Sequence, residues 1–363
     1  MVTPFLVSVV LVRQLEQGVL ANDGEREYCV GRGEAPGSIG MKAVLPGVTR
    51  GRGWLSGPLW LMLVCLTGTS LAGFLGRSWW WFDLASHFRV QYAVASLLIG
   101  VAAIVWRRWL AALTAAVLLI VNLWLVLPFY ARKPGGPDGG ESLRVLCMNV
   151  NAANERHEQV WDVVKASRAD IVFVLEYTAR WEAALRAMEV DYPYMRTAPQ
   201  ADSFGIAVYS RVPLTRVEVS DLVVAGIPSI AVGSRLGGQH VTLFCVHVLP
   251  PVSRASAASR DAQLREIARR AGSAEQPHAV VGDLNCTSWS PVFRDLLRDG
   301  GLVDSRIGFG AQPTWPRCWL LRIPIDHCLV SREVVVRHRS VVAVPGSDHL
   351  GVIVDLGVRG RRG

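Results

Sequence analysis

The stretch LRVLCMNVNAANERHEQVWDVVKASRADIVFVLE, Leu143–Glu176, decides the fold. It holds two apolar runs, Leu143–Val150 and Ala169–Glu176. Between them, from Glu155 to Ser167, Val160, Val163 and Val164 recur at helical spacing. Short apolar runs flanking an amphipathic segment predict buried strand, helix, buried strand. Each run ends on a polar side chain, Asn149 in the first and Glu176 in the second.

The same pattern continues downstream. FGIAVYS (Phe204–Ser210), HVTLFCVHV (His240–Val248), HAVVGDLN (His278–Asn285), IDHCLVS (Ile325–Ser331) and LGVIVDL (Leu350–Leu356) predict further strands. Ser259–Ala271 predicts an amphipathic helix. Apolar strands interleaved with helices imply a layered α/β sandwich. Polar residues again sit at the strand ends: His247, Asp283, Asn285, Asp326, Asp348 and His349. Any one of them could simply mark a strand-to-loop boundary. Together they describe one polar floor in an apolar frame, because a buried carboxylate is costly unless paired or bound to metal. His327 is adjacent to Asp326 on the same strand and is predicted to face the opposite side.

These residue types suit phosphoryl chemistry with a hard cation. Oxygen ligands from Asn149, Glu176 and Asp348 fit Mg²⁺, with Mn²⁺ as an alternative. A metal on a phosphate oxygen neutralises developing charge and orients attacking water. An Asp–His pair can hold a base in the needed tautomer and take a proton from that water. Several further residues have two readings. Arg254 and Arg260 could reach a substrate phosphate or belong to a solvated helix start. Trp315 and Trp289 could line a pocket or pack in turns. His157, His278 and His338 read as surface residues.

Upstream, the chain changes character. Of its 363 residues, 51% are hydrophobic and 19% charged, and the apolar excess is local. Trp54–Gly76, Val90–Trp106 and Trp109–Ala131 are uncharged runs of 23, 17 and 23 residues. A bilayer-crossing helix needs about 20 mostly apolar residues, so three transmembrane helices are predicted, with Arg89 and Arg107 snorkelling at the ends of the short one. Trp79, Trp80, Trp81, Trp106 and Trp109 near the run ends fit an interfacial belt. Arg50 and Arg52 precede the first run, and Arg107 and Arg108 separate the second from the third. The positive-inside rule makes both groups cytoplasmic and places the downstream domain outside the cytoplasmic membrane. Arg132 and Lys133 mildly oppose that orientation. The division expected is a disordered cytoplasmic N-terminus over 1–53, a membrane domain over 54–131, a Pro/Gly linker over 132–142, a catalytic domain over 143–357 and a tail over 358–363.

The net charge of +8 comes almost wholly from Arg, since Lys occurs only at Lys42, Lys133 and Lys165. Several of those arginines flank apolar runs instead of forming the stripe a nucleic-acid binder concentrates on one face. Seven Cys show no C-x-x-C pair or zinc spacing. Any disulfide would fall among Cys286, Cys318 and Cys328, but five Cys in the catalytic half is an odd number and argues against a complete framework.

The set LCMNVN, VLEY, VHVLPP, VGDLN, PIDHCLVS and PGSDH resembles the endonuclease/exonuclease/phosphatase superfamily across Leu143–Leu356. PTWP (Pro313–Pro316), the HVLPP run and the three preceding helices resemble one branch of it, the membrane-anchored bacterial proteins related to the teicoplanin-resistance protein VanJ. The resemblance implies a DNase I-like four-layer sandwich of two β-sheets flanked by helices. It implies that Asn149 and Glu176 hold the divalent metal with Asp348 near it. It further implies that His247 stabilises the scissile phosphate, Asp283 orients or deprotonates water, Asn285 positions phosphate and nucleophile, Asp326 orients His349, and His349 contacts phosphate. Either Asp283 or His349 could serve as the base.

The function expected is hydrolysis of a phosphate ester or anhydride outside the membrane, on a lipid-linked or envelope substrate. The branch resemblance adds a role in glycopeptide tolerance. A secreted-side nuclease is the alternative, but LEYT and the short VHVLPP loop depart from the nuclease pattern. A non-catalytic binding module is a third reading, and loss of Glu176, Asp283, Asn285 or His349 would have favoured it. A transport path through the helices is disfavoured by their near lack of ionisable residues.

Overall fold

A computed structural model describes residues 56–131, 140–275, 277–317 and 319–359. The N-terminal region 1–53, most of the linker, Cys318 and the end of the tail lie outside the described residues.

Among the described residues, twelve strands form two six-stranded sheets. They are β1 (Leu143–Asn149), β2 (Ile171–Leu175), β3 (Tyr194–Ala198), β4 (Ile206–Ser210), β5 (Arg216–Asp221) and β6 (Pro228–Leu236), followed by β7 (Gln239–His247), β8 (His278–Asp283), β9 (Leu302–Asp304), β10 (Asp326–Ser331), β11 (Val334–Ala343) and β12 (Leu350–Val358). One sheet runs β11-β12-β1-β2-β4-β3 and the other β5-β6-β7-β8-β10-β9. β1 pairs with β2, and β7 with β8, in parallel; the remaining pairs are antiparallel.

Alternation along the strands builds three apolar layers. Between the sheets, Val145, Cys147, Ile171 and Phe173 meet Leu243, Cys245, Ala279 and Val281. The opposite face of the first sheet packs Leu146, Met148 and Val172 on Val160 and Val164 of the helix His157–Ser167. The opposite face of the second sheet packs Val246, Val280 and Leu329 on the helices Arg254–Gly272 and Pro291–Asp299. Both faces of the central strands are therefore buried, which is why they read as continuous apolar runs. The result is the expected four-layer sandwich. The helix Arg254–Gly272 begins five residues before the predicted start, where the Ser253 hydroxyl accepts from the Ser256 N–H.

Three helices are each long and apolar enough to cross a membrane: Gly57–Leu75, Trp80–Val105 and Trp109–Val126. The second differs from the sequence expectation. It starts near Trp80, not at Val90, and takes in Asp83, His87 and Arg89. Arg89 does not snorkel; it is buried, donating to the Ser70 carbonyl at 2.8 Å and to Asn122 Oδ1 at 3.3 Å.

The reason these charges are tolerated lies about 200 residues away. Arg260, only 1% exposed, donates from Nη2 to Asp83 Oδ2 at 2.7 Å and also binds Asp261. Ser290 Oγ donates to Asp83 Oδ1 at 2.6 Å, and His87 Nδ1 lies 3.1 Å from Thr287 Oγ1. Trp289 packs edge-on against Phe129 and donates its indole N–H to the Leu125 carbonyl at 3.0 Å. Arg260 is thus neither a phosphate ligand nor a solvated helix start: it ties the apolar helices to the sandwich. Trp289 packs there too. His278, read as a surface residue, is buried at the start of β8, whereas His157 is half-buried against Trp181 and His338 is exposed. Cys286 and Cys328 carry free thiols.

Removing one partner of a buried ion pair leaves the other uncompensated, at about 3–5 kcal/mol. Arg260→Ala is therefore expected to destabilise the full chain in detergent by about that much, read as a lowered unfolding midpoint. An Asp83→Leu/Arg260→Met double replacement should recover most of it. An unchanged midpoint for Arg260→Ala would show that the pair does not hold the helices.

Candidate active site

The carboxyl ends of the parallel pairs β1–β2 and β7–β8 lie on the same side of the sandwich as the first residues of the antiparallel strands β10 and β12. Chain direction alone therefore brings six strand tips together. Asp283 ends β8 and pairs directly with His247 on β7 and with Asp326 on β10. Directly paired residues project to the same face, so three titratable side chains are forced into one spot. His327, one residue on, faces away as predicted: it is buried, with Nε2 2.8 Å from the Cys286 carbonyl, and burial pushes its imidazole down to about 3.

His349 enters from the turn before β12. Its Nδ1 lies 3.0 Å from Asp326 Oδ2, and its Nε2 lies 3.9 Å from Asp283 Oδ2. His247 Nε2 lies 3.6 Å from the same Asp283 oxygen. All four side chains are nearly sealed from water. Burial alone would lower the His349 pKa, but the charge and hydrogen bond of Asp326, with Asp283 and Asp348 behind it, raise it to about 10. Burial and the neighbouring Asp326 push Asp283 up to about 8, against the pull of His349. Burial works to raise Asp326 as well, but His349 prevails and holds it below the usual carboxylate range. Burial lowers His247, which favours a neutral ring.

A second group lies at the ends of β1 and β2. Asn149 Nδ2 donates to Glu176 Oε1 at 3.0 Å, and the Ala152 backbone N–H donates to Glu176 Oε2 at 2.9 Å. Asp348 accepts from Asn151 Nδ2 at 3.3 Å and from the Trp315 indole N–H at 2.9 Å. Glu176, Asn151 and Asn285 all have positive φ, at 60°, 63° and 47°. Such left-handed backbone in non-glycine residues concentrates where function requires a particular side-chain aim. The glycine of the GD pair has its own reason. At Gly282 φ is 145°, and a Cβ there would strike the Val246 carbonyl of β7.

All eight residues singled out from the sequence thus sit at this end of the sandwich. Asn285 also faces it, anchored by Nδ2 to the Val248 carbonyl at 2.9 Å. Sequence reasoning missed Asn151 and Thr314. Thr314 Oγ1 accepts from the Ile325 and Asp326 N–H groups at 3.2 Å and so fixes the start of β10. Trp315, left open between pocket and packing, belongs to the site, with its ring centroid 6.3 Å from that of His349.

The donor chemistry fits a divalent ion in two places. Asp283, Asp326 and His349 offer ligand atoms within 4.8 Å of one another. Glu176, Asn149 and Asp348 offer only hard oxygens, which Mg²⁺ prefers. We favour the oxygen set, because His349 already spends Nδ1 on Asp326, whereas Glu176, Asn149 and Asp348 present oxygens alone.

The profile described as Endonuclease/Exonuclease/phosphatase family matches residues 146–349, more than half of the chain. No curated protein matches significantly. Among solved structures, humanized D. rerio TDP2 is similar at 16% identity and TM-score 0.51, covering 60% of this chain and 99% of that one. An endonuclease/exonuclease/phosphatase from Bacteroides vulgatus gives the same four values. The human Nocturnin catalytic domain is similar at 17% identity and TM-score 0.50, covering 63% of this chain and 100% of that one. At such identities the likeness is one of fold.

The Asp326–His349 contact carries a direct test. In Asp326→Asn the charge that raises His349 is gone while its burial remains. The His349 titration, followed by NMR in metal-free protein, is expected to fall from about 10 toward or below the ordinary imidazole value of about 6.5. A titration still near 10 would mean that Asp326 does not hold the ring.

Proposed function

The chain belongs to the endonuclease/exonuclease/phosphatase family, and from that premise we propose that it is a metal-dependent phosphoesterase working at the outer face of the cytoplasmic membrane. The observation that carries the reading is the buried Asp283–His349–Asp326 line, with the oxygen cluster of Asn149, Glu176 and Asp348 on the same side of the sandwich. Members of the family are hydrolases of phosphoester bonds and in general depend on a divalent metal.

In this reading Glu176, Asn149 and Asp348 would hold Mg²⁺, or Mn²⁺ in its place. The bound ion would supply charge neutralisation on the phosphate oxygens. Asp326 accepts the Nδ1 proton of His349 and keeps the ring aimed at Asp283. His349, protonated at neutral pH, donates from Nε2 to a phosphate oxygen. His247, on the other side of Asp283, donates to the same phosphate. Asp283, raised toward the working pH, takes the proton from the attacking water, since a base is most effective when its pKa lies near that pH. Asn285, held by Val248, positions water and phosphate.

The membrane side of the proposal rests on the three apolar helices and on the arginines at their ends, with Arg107 and Arg108 on the cytoplasmic side. A site fixed to an outer membrane face suits a lipid-linked phosphate of the envelope, such as a polyprenyl phosphate or a phospholipid headgroup. Through the VanJ-like branch that substrate class would connect to glycopeptide tolerance. A nuclease acting outside the membrane is the competing reading, and a binding module without catalysis is the third.

The test is hydrolysis by the full chain, because the helices share a buried ion pair with the sandwich; lipids are followed by released phosphate or phosphorylated headgroup and DNA by strand cleavage. With Mg²⁺ or Mn²⁺ present, isoprenoid phosphates, phospholipids and DNA are compared. Turnover is expected on a lipid phosphate, to be abolished by EDTA and restored by Mg²⁺. Glu176→Ala and His349→Ala should each lower it by about 10²–10⁴-fold. Preference for DNA would favour the nuclease, and turnover undiminished in both variants would end the proposal.

The protonation states set the pH profile. A carboxylate base must be deprotonated, so kcat/KM is expected to rise with pH along a limb belonging to Asp283. That limb lies at or below about 8, because a bound cation favours the carboxylate. Activity should fall again as His349 loses its proton near 10. His349→Gln should abolish the alkaline limb, whereas a limb that survives the replacement assigns it to another group.

A further inference from the structure

The segment between Trp315 and Ile323 is an excursion whose base lies in the site and whose tip lies beside the second apolar helix. At its base, Trp315 and Ile323 form an isolated antiparallel bridge, and the Trp315 indole donates to Asp348. The Leu350 N–H donates to the Thr314 carbonyl at 2.9 Å, which pins the base to the start of β12. Arg322 closes the excursion by donating from Nε to the Pro316 carbonyl at 3.0 Å. At the tip, Trp319, Leu320 and Leu321 are 75%, 59% and 39% exposed. Three consecutive large apolar side chains left in water are an anomaly in a sandwich whose other apolar side chains are largely buried.

What lies beside the tip identifies its occupant. Gln91, on the second apolar helix, donates from Nε2 to the Leu320 carbonyl at 3.4 Å and to the Arg322 carbonyl at 3.0 Å. Just beyond Gln91 that helix turns exposed Val94, Leu97 and Leu98 outward. The apolar tip is therefore continuous with the exposed apolar surface of that helix, which faces lipid if the helix crosses the membrane. Arg317, exposed on the rising arm, supplies the cation that accompanies an interfacial tryptophan at an anionic headgroup layer.

We propose that Trp319, Leu320 and Leu321 insert into the bilayer beside the second helix and hold the end of the sandwich that carries the site at the level of the lipid headgroups. This rests on the reading that the three helices cross the membrane and that the site hydrolyses phosphate. Trp319 lies four positions beyond Trp315, a reach of at most about 14 Å. The headgroup layer of one leaflet is about 5–8 Å thick. A phosphate carried on a lipid therefore has to rise only a few ångströms from its layer to meet the site, with its tail still in the membrane. The substrate class that follows is a phosphate ester presented at the bilayer surface, which the enzyme would select over the same ester free in water.

The test uses the full chain in nanodiscs of phosphatidylglycerol and phosphatidylcholine, the latter doped with a diazirine-bearing analogue. After irradiation, lipid adducts are expected on Trp319–Leu321 as well as on the three helices. Adducts on the helices alone, or cross-links from this turn to a second copy of the chain, would overturn the proposal. Kinetics provide the second readout. In W319S/L320S/L321S, the KM for dioleoyl phosphatidic acid in the disc should rise at least tenfold, while turnover of water-soluble dibutyryl phosphatidic acid stays unchanged. Equal changes on both substrates would reduce the turn to a structural element. A chain that labels at 319–321 but hydrolyses neither compound loses the catalytic reading and retains this one.

Discussion

Two carboxylates stand opposite one another on neighbouring strands, and the pairing register leaves them no choice. Asp283 and Asp326 are direct partners across β8 and β10, both nearly inaccessible to water. Two unit charges about 4 Å apart at an effective dielectric of about 20 repel by roughly 4 kcal/mol. The arrangement persists because a cation is built in: His349 touches Asp326 and faces Asp283. One pair of charges thereby becomes an ordered line in which the middle group is protonated, one end is ionised and the other end is poised. Every property assigned to the site depends on that register. A slip of one residue would turn Asp326 to the opposite face and bring His327 in its place.

That register also explains what could be read from the chain without coordinates. The central strands are buried on both faces, so their apolar runs stand out, and the polar residues that interrupt them at the tips stand out for the same reason. Asn149, Glu176, His247, Asp283, Asn285, Asp326, Asp348 and His349 were legible in this way. The strands that escaped notice are mostly those at the sheet margins. β3, β5, β9 and β11 each have a neighbour on one side only. YMRTA in β3 and RVEVSD in β5 are largely exposed, so their sequences carry no apolar run. β6 is interior but includes Pro228, Gly233 and Arg235, which break its pattern.

The opposite failure occurred at the long apolar helices. Asp83, His87 and Arg89 read as a charged connection because a charge in an apolar helix is expensive, and the sequence offers no nearby partner. The partners are supplied by the sandwich and by the other helices: Arg260 and Ser290 for Asp83, Thr287 for His87, Ser70 and Asn122 for Arg89. Asn151 and Thr314 were missed for a related reason. Both act by hydrogen bonds to groups far away in sequence, Asp348 for the first and the amides of Ile325 and Asp326 for the second. Local pattern records burial well and long-range pairing poorly.

Those long-range pairs converge on one segment. Residues 286–290 leave β8 immediately after Asp283 and Asn285, and in that short span Cys286 holds His327, Thr287 meets His87, Trp289 caps Leu125 and Ser290 binds Asp83. The chain that emerges from the catalytic strand is therefore gripped by the apolar helices on one side and by a buried histidine on the other. A site that must hold a nucleophile and a phosphate to within a fraction of an ångström benefits from such restraint, since small misplacements are costly in rate. The helices accordingly do more than tether the sandwich to a surface. By fixing the exit of β8, they share in fixing the position of Asp283, so the geometry of the site and its attachment to the apolar helices form one mechanical unit.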